Sequence, residues 1–142
     1  MIDRKAEARW EGNLREGKGR IRLGSGAFEG PYAFGSRFEA APGTNPEELL
    51  GAAHAACFTM ALSHMLATAG HPPASVETSA TVHLDKVGEG FSIIGIDLVT
   101  KGRVPGADEA LFVKLANDAG AKCIVSRALS VPIKVDATFL GT

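Results

Sequence analysis

The sequence lacks the features that mark several classes of protein. Its charge is balanced, with 15 Lys and Arg residues against 16 Asp and Glu residues and a net charge of −1. A nucleic-acid surface typically carries a clustered basic stripe, and none is present. There are only two cysteines, 66 residues apart, and no CxxC or paired Cys/His spacing indicates a structural zinc site. We therefore expect no nucleic-acid partner, no disulfide scaffold and no bound metal.

Long apolar runs are also scarce, with one exception in the middle of the chain. The N-terminal segment MIDRKAEARW carries charges and no apolar stretch, so we expect no signal peptide and a cytoplasmic protein. A length of 142 residues with 45% apolar composition favours one globular domain, residues 1–142. One Trp, one Tyr and 17 Gly residues indicate tight turns and a core of small aliphatic side chains.

Hydrophobic patterns along the chain predict an α+β fold. Alternating polar and apolar residues are typical of strands, and longer apolar stripes between Gly or Pro residues are typical of helices. The element order β-β-β-α-β-β-α-α-β indicates antiparallel sheets around a long buried central helix. The predicted strands are 5–12, 18–24, 32–39, 75–87, 91–101 and 131–139, and the predicted helices are 46–69, 107–119 and 123–129.

The central helix, 46–69, has clear signals at both ends. Asn45 is a good N-cap, Pro46 suits the first helical position, and Glu48 completes the pattern of a capping box. Gly70 offers a left-handed residue after the last turn, and two prolines follow it at 72 and 73. The sequence therefore predicts where this helix begins and where it ends.

This helix is apolar nearly all round, which sets a packing problem. One sheet covers only one stripe of a helix, so a second copy of the chain is the simplest cover for the rest. We therefore expect an intimate, intertwined homodimer. A membrane span is the competing interpretation, but two histidines and the absence of flanking Lys or Arg argue against membrane insertion.

A few residues could carry chemistry, and each has an ordinary structural alternative. Cys57 lies mid-helix and Cys123 begins the last short helix, yet free cysteines are often inert core residues. Arg37 falls on the predicted third strand, opposite its aromatic residues. Glu47 is free for another role if Glu48 closes the capping box. His54, three residues before Cys57, could form a Cys/His pair or bond a backbone carbonyl.

Two segments resemble those of a known family. Residues 34–63, FGSRFEAAPGTNPEELLGAAHAACFTMALS, are similar to the central segment of the OsmC/Ohr family of hydroperoxide reductases. The segment AKCIVSRAL, 121–129, resembles the second-cysteine helix of that family. The motifs WEG at 10–12 and LDKV at 84–87 match the OsmC branch. The resemblance spans essentially the whole chain and implies the OsmC-like fold.

The resemblance implies a role for each candidate residue. Cys57 matches the peroxidatic cysteine and Cys123 the resolving cysteine, while Arg37 and Glu47 match the pair that serves the first cysteine. It also implies a dimer with active sites at the subunit interface, an external dithiol reductant and no bound cofactor. One departure is Ile124, which stands where the family commonly has a proline after the second cysteine. The loss of proline at the helix start affects how Cys123 is presented.

The substrate expected from the resemblance is a hydroperoxide, reduced by a thiol-dependent peroxidase. Apolar neighbours such as Leu50, Phe58 and Met60 favour an organic hydroperoxide over hydrogen peroxide. Two alternatives stay open. One is a non-catalytic stress-induced binding protein with an apolar interface cavity, and the other is a hydrolase that uses Cys57 and His54. Thiol reactivity discriminates between the peroxidase and the binding protein, because only the peroxidase needs a reactive Cys57.

Overall fold

The computed structural model describes all residues, 1–142. The chain forms two compact units, Met1–Leu49 and Leu50–Thr142. Each unit has its own sheet, and every sheet neighbour comes from the same unit. The α+β fold class is confirmed, whereas the single domain expected for 1–142 stays a prediction.

The first unit contains a three-stranded antiparallel sheet. Its strands are β1 (Ala6–Glu11), β2 (Lys18–Leu23) and β3 (Glu29–Tyr32), paired in the order β1-β2-β3. The first two strands confirm the predictions for 5–12 and 18–24. Trp10 and Tyr32 lie on the outer strands, and their rings pack at 5.4 Å across Gly19 of the middle strand.

The third strand was predicted wrongly. It ends at Tyr32, and Phe34–Phe38 forms a short helix, α1, where a strand over 32–39 was expected. The error has a physical cause, because aromatic residues at 34 and 38 fit both an alternating strand and one turn of helix. The helical turn brings the two rings to 5.1 Å, and Ser36 fixes it by bonding the Thr44 carbonyl at 2.7 Å.

The long helix α2 spans Pro46–Thr68 and has the expected ends. The Asn45 side chain caps it by accepting from the Glu48 amide at 2.7 Å. The Glu48 carboxylate accepts from the Thr44 hydroxyl at 2.8 Å, which differs from the reciprocal bond of a full capping box. At the other end Gly70 has φ +90°, and the amide of His71 bonds the carbonyl of Leu66. This is the hydrogen-bond pattern of a Schellman motif.

The second unit contains a mixed three-stranded sheet. Strands β4 (Ser75–Val87) and β5 (Gly90–Arg103) pair as a long antiparallel hairpin. The last strand, β6 (Ile133–Phe139), pairs parallel with β5, which corrects the expectation of wholly antiparallel sheets. Two helices, α3 (Glu109–Lys122) and α4 (Ile124–Ala128), lie between β5 and β6 in the chain. They supply the crossover that a parallel pair requires.

Helix α3 runs beyond its predicted end. Asp108 caps its start by accepting from the Leu111 amide at 2.8 Å, and the helix passes through Gly120, the predicted stop. Position 120 lies inside the helix and requires glycine, because a Cβ there would come within 2.6 Å of Val135 on β6. This glycine permits close approach of the helix and the strand, and it does not end the helix.

The core of the second unit is built on one stripe of α2. The buried stripe residues recur at helical spacing and face apolar side chains of β5 and α3. The opposite face is exposed in one chain, and its cover by a second copy stays a prediction. The stripe consists of Gly51, His54, Phe58, Leu62 and Leu66, and the exposed face includes Ala52, Ala53, Ala56, Met60 and Ala67.

Helix α2 also passes a simple test for a membrane span. Its length and its mean hydropathy of 1.4 over the most apolar window would suffice, and 28% of that window is buried. The core helix of a soluble protein passes the same test, so this property alone does not indicate a membrane protein.

Two glycines of β5 provide a matched test of the core packing. A Cβ at Gly102 would overlap the ring of the fully buried Phe112, whereas a Cβ at Gly90 would meet nothing within 4 Å. We expect Gly102→Ala to lower the free energy of unfolding by about 1–3 kcal/mol, because the ring must shift in a packed core. Gly90→Ala should change it by less than about 0.5 kcal/mol. Urea denaturation measures both, and equal effects would contradict this packing.

Candidate active site

The two cysteines lie side by side in the second unit. Cys57 is half-buried in the middle of α2, and Cys123 is 2% exposed at the junction between α3 and α4. Both are free thiols, and each shifts the pKa of the other. They are 66 positions apart in the sequence, so tertiary packing alone brings them together.

The junction at Cys123 places the start of α4 beside both sulfurs. Cys123 has ψ 135°, which ends α3 and turns the chain directly into the next helix. Its sulfur makes no side-chain cap hydrogen bond. The amides of Val125 and Ser126 still lower its pKa, and those of Ile124 and Val125 act in the same sense on Cys57. The unpaired N–H groups at a helix start favour a nearby negative charge.

The pKa values of the two thiols are shifted in opposite directions. Burial raises the pKa of Cys57, and its hydrogen bond to Cys123 raises it further. Burial also acts to raise the pKa of Cys123, but hydrogen bonds from Cys57 and Ser126 outweigh it, so this pKa is lowered. The two shifts favour negative charge on Cys123 over Cys57 in the reduced pair. None of the strongest influences on the Cys57 pKa is a cation.

His54 and Ser126 form a second buried pair next to the thiols. The His54 ring is fully buried in the α2 stripe, and its Nε2 lies 2.7 Å from the Ser126 Oγ on α4. Burial lowers the pKa of His54, which favours the neutral ring. The Ser126 hydroxyl also acts to lower the pKa of Cys123. The hypothesis that His54 pairs with Cys57 is therefore not supported, because its bonded nitrogen faces Ser126.

Arg37 and Glu47 form an ion pair within the first unit. The guanidinium donates from both Nε and Nη2 to Glu47, with Nη2 at 2.7 Å from Oε1. The Glu47 residue is 8% exposed, whereas the Arg37 side chain is 39% exposed. Arg37 lies in the last turn of α1, not on a strand, and its guanidinium lies 5.2 Å from the Phe38 ring. The pair leaves part of the guanidinium open to solvent.

A groove in the first unit runs beside Arg37. It has a volume of about 310 Å³ and is lined mainly by aromatic and aliphatic side chains. Of the apolar neighbours proposed from the sequence, Phe58 is fully buried in the core and Met60 is 76% exposed. The groove is lined by Trp10, Leu14, Tyr32, Ala33, Phe34, Arg37 and Phe38.

The structure thus brings the candidates together in two groups. Cys57 and Cys123 meet in one unit, and Arg37 meets Glu47 in the other. Sequence reasoning missed Ser126, whose only signal is its place three residues after Cys123 in a helix start. No cluster of three or more His, Cys, Asp or Glu side chains could hold a metal ion.

Comparison with known proteins identifies the family. Residues 38–138 match the model of the family described as OsmC-like protein. The chain is 49% identical over 136 residues to peroxiredoxin OsmC of Escherichia coli strain K12, covering 95% of each chain. The chain belongs to the OsmC-like family. The prediction from the two motif segments is therefore confirmed.

Solved structures agree with this assignment. The fold is similar to that of organic hydroperoxide resistance protein OhrB of Bacillus subtilis, with a TM-score of 0.75 and 28% identity. That match covers 94% of this chain and 98% of OhrB. An OsmC-like protein of Vibrio cholerae has a TM-score of 0.76 at 15% identity, over 97% of this chain and all of the other. At this low identity the likeness shows the OsmC-like fold alone.

Proposed function

We propose that this OsmC-like protein is a thiol-dependent peroxidase that reduces organic hydroperoxides, and hydrogen peroxide more weakly. The observation that carries the proposal is the pair of free thiols, one half-buried and the other nearly inaccessible. A peroxidase of this kind needs one sulfur that reaches substrate and a second that attacks only the first. Cys57 and Cys123 fit these two roles.

In the first step the Cys57 thiolate attacks the terminal oxygen of the hydroperoxide. The S–O bond forms as the O–O bond breaks, and the departing alkoxide takes a proton and leaves as an alcohol. The sulfur is oxidised to sulfenic acid while the hydroperoxide is reduced. The aromatic groove beside Arg37 supports an alkyl or aryl substituent on the substrate.

In the second step Cys123 attacks the Cys57 sulfenic acid. The disulfide forms, and the hydroxyl group leaves with the thiol proton as water. An external dithiol then reduces the disulfide by thiol–disulfide exchange and is itself oxidised. The influence of each thiol on the pKa of the other supports this step, because it requires the two side chains to lie close together.

The first step needs a cation, and Arg37 is the residue we assign to it. Burial and Cys123 both hold the Cys57 pKa above its ordinary value, so the thiolate must be stabilised by added positive charge. A guanidinium also offers several N–H donors to the peroxide oxygens as charge develops. The bidentate bond to Glu47 fixes the orientation of the guanidinium while leaving it partly open.

The same proposal includes a homodimer in the cytoplasm. One chain leaves the apolar face of α2 uncovered, with Met60 76% exposed among alanines. A second copy that packs on this face supports both burial of the helix and the interfacial active sites implied by the resemblance. The reducing cytoplasm suits two free thiols and a dithiol reductant.

Substitution of each cysteine tests the proposed chemistry. Cys57→Ser should abolish turnover of cumene hydroperoxide with a dithiol, because no sulfenic acid can form. Cys123→Ser should reduce one equivalent of peroxide and then over-oxidise, because the resolving thiol is absent. Peroxide consumption and mass spectrometry measure both, and the wild type should show a Cys57–Cys123 bridge. If the wild type consumes no peroxide and keeps an unmodified Cys57, a non-catalytic binding protein is favoured instead.

Substitutions of the ion pair separate charge from orientation. Arg37→Ala should slow single-turnover reduction on the order of 100-fold, because the donors to the oxyanion are lost. Arg37→Lys should restore more of the thiolate than of the rate, because an ammonium lacks the planar fork. Glu47→Gln should slow the reduction rate, because the Arg37 guanidinium loses the carboxylate that orients it. The Cys57 pKa should hold or fall, because a negative charge is removed.

The neighbouring carboxylate is the matched control for Glu47. Glu48→Gln should change the rate little, because a glutamine oxygen still accepts from the Thr44 hydroxyl. Single-turnover kinetics and thiolate absorbance in a Cys123→Ser background measure both properties. If Glu48→Gln slows the reaction and Glu47→Gln does not, the two carboxylates are assigned the wrong way round.

The quaternary structure has its own test. Light scattering should give the mass of a dimer at micromolar concentration. We expect its interface to bury more than ~2,000 Å², as is typical of obligate homodimers. Met60→Asp should weaken the dimer, because a charge would lose its hydration on an apolar face. A stable, well-folded wild-type monomer under these conditions would contradict the dimer.

A further inference from the structure

We propose that His54 and Ser126 form a proton relay that serves Cys123, with His54 as the base and Ser126 as the bridge. The inference rests on the proposed function and deepens it, because it assigns the route by which the resolving thiol becomes a thiolate. Neither residue touches the substrate in this assignment. Both act through Cys123 and are positioning residues for the second step.

The geometry joins two of the three side chains directly and places the third one helical turn away. His54 Nε2 lies 2.7 Å from Ser126 Oγ, and both residues are buried. Ser126 lies three positions after Cys123, one turn into α4, and its hydroxyl acts to lower the pKa of that thiol. A hydroxyl can accept one proton and donate another at the same time. Ser126 can therefore pass a proton between sulfur and imidazole without changing its own protonation.

The other ring nitrogen of His54 supports a role in proton transfer. Nδ1 is fully buried and has no hydrogen-bond partner. Buried polar atoms are almost always bonded, so an exception calls for an explanation. A histidine that only supports packing would gain from a partner on both nitrogens. No partner at Nδ1 fixes the ring in one tautomer. Nε2 can therefore accept a hydrogen bond from Ser126 in one state and donate one to it in the next.

The relay moves two protons in concert. The Cys123 proton moves to Ser126 Oγ as the Ser126 proton moves to His54 Nε2, leaving a thiolate and an imidazolium. The thiolate attacks the Cys57 sulfenic sulfur, the S–S bond forms, and the S–OH bond breaks. The leaving hydroxide becomes water by taking the one proton that the His54 imidazolium gives up, and His54 returns to the neutral ring. No oxidant beyond the hydroperoxide is needed.

The local charges agree with this direction of transfer. Burial lowers the His54 pKa, so the ring is neutral and able to accept a proton. Burial opposes ionisation of Cys123, but its hydrogen bonds lower the pKa of that thiol overall. The two thiols act on each other's pKa, and His54 contacts Ser126, which also acts on Cys123.

The experiment measures the two chemical steps separately in the full-length protein. Sulfenic acid formation is followed by peroxide loss after one equivalent of cumene hydroperoxide, and resolution by the appearance of the disulfide in quenched samples. The test variants are His54→Gln, which keeps a donor to Ser126 but no base, and Ser126→Ala, which removes the bridge. The control is His83→Gln, at a histidine paired with Asp97 on the sheet.

We expect His54→Gln and Ser126→Ala each to slow disulfide formation by ten-fold or more while peroxide loss changes less than two-fold. Over-oxidised Cys57 should accumulate in both. Ser126→Thr should retain most of the resolution rate, because its hydroxyl remains and a groove of about 320 Å³ beside residue 126 has room for a methyl group. His83→Gln should match the wild type. Disulfide formation at the wild-type rate in folded Ser126→Ala would overturn the relay.

A second measurement does not depend on peroxidase activity. In a Cys57→Ser background Cys123 is the remaining thiol, and its ionisation can be followed by thiolate absorbance against pH. Removing either His54 or Ser126 should raise its apparent pKa by more than one unit, which the Ser126→Thr variant should not do. An unchanged titration in both would overturn the relay. Failure of the wild type to consume peroxide would overturn the proposed function while leaving this titration to decide the relay.

Discussion

The burial of one stripe of α2 is the constraint on which the rest of the second unit depends. Phe58, Leu62 and Leu66 are fully excluded from water and anchor the helix in the core shared with β5 and α3. Each such side chain contributes roughly 1.5–3 kcal/mol. With this stripe fixed, the rotation of the helix is fixed as well. His54 then faces α4, and Cys57, one position before Phe58, lies beside Cys123.

The junction between α3 and α4 places Cys123 beside Cys57. Helix α3 ends at Lys122, and one extended residue, Cys123, separates it from α4. This abrupt turn exposes unpaired amides to both sulfurs, which no uninterrupted helix could do. Ile124, in place of the proline common in the family, keeps helical geometry at the first position of α4. The chain thus forms the junction without proline, and the thiol contact is intact.

Some of the molecule follows from sequence because the signals are local. Asn45 and Gly70 mark the ends of α2 by their own hydrogen bonds and conformation, and the alternation over 75–87 matches β4. The segment 34–38 was misassigned because its aromatic spacing fits two structures, and Ser36 decides between them through a contact with Thr44. Ser126 was missed because its partner, His54, is 72 positions away. Such pairing depends on tertiary packing, which no local pattern encodes.

The distance in sequence between the two cysteines has a consequence for the stability of the redox states. A bridge between Cys57 and Cys123 closes a covalent loop that contains all of β4, β5 and α3. For a loop of this length the loss of disorder in the unfolded chain corresponds to about 4 kcal/mol in the chain-entropy model. Under the proposed mechanism the oxidised protein is the harder form to unfold, and each reduction by the dithiol removes that restraint. Turnover by that mechanism alternates between a cross-linked chain and a more easily unfolded one.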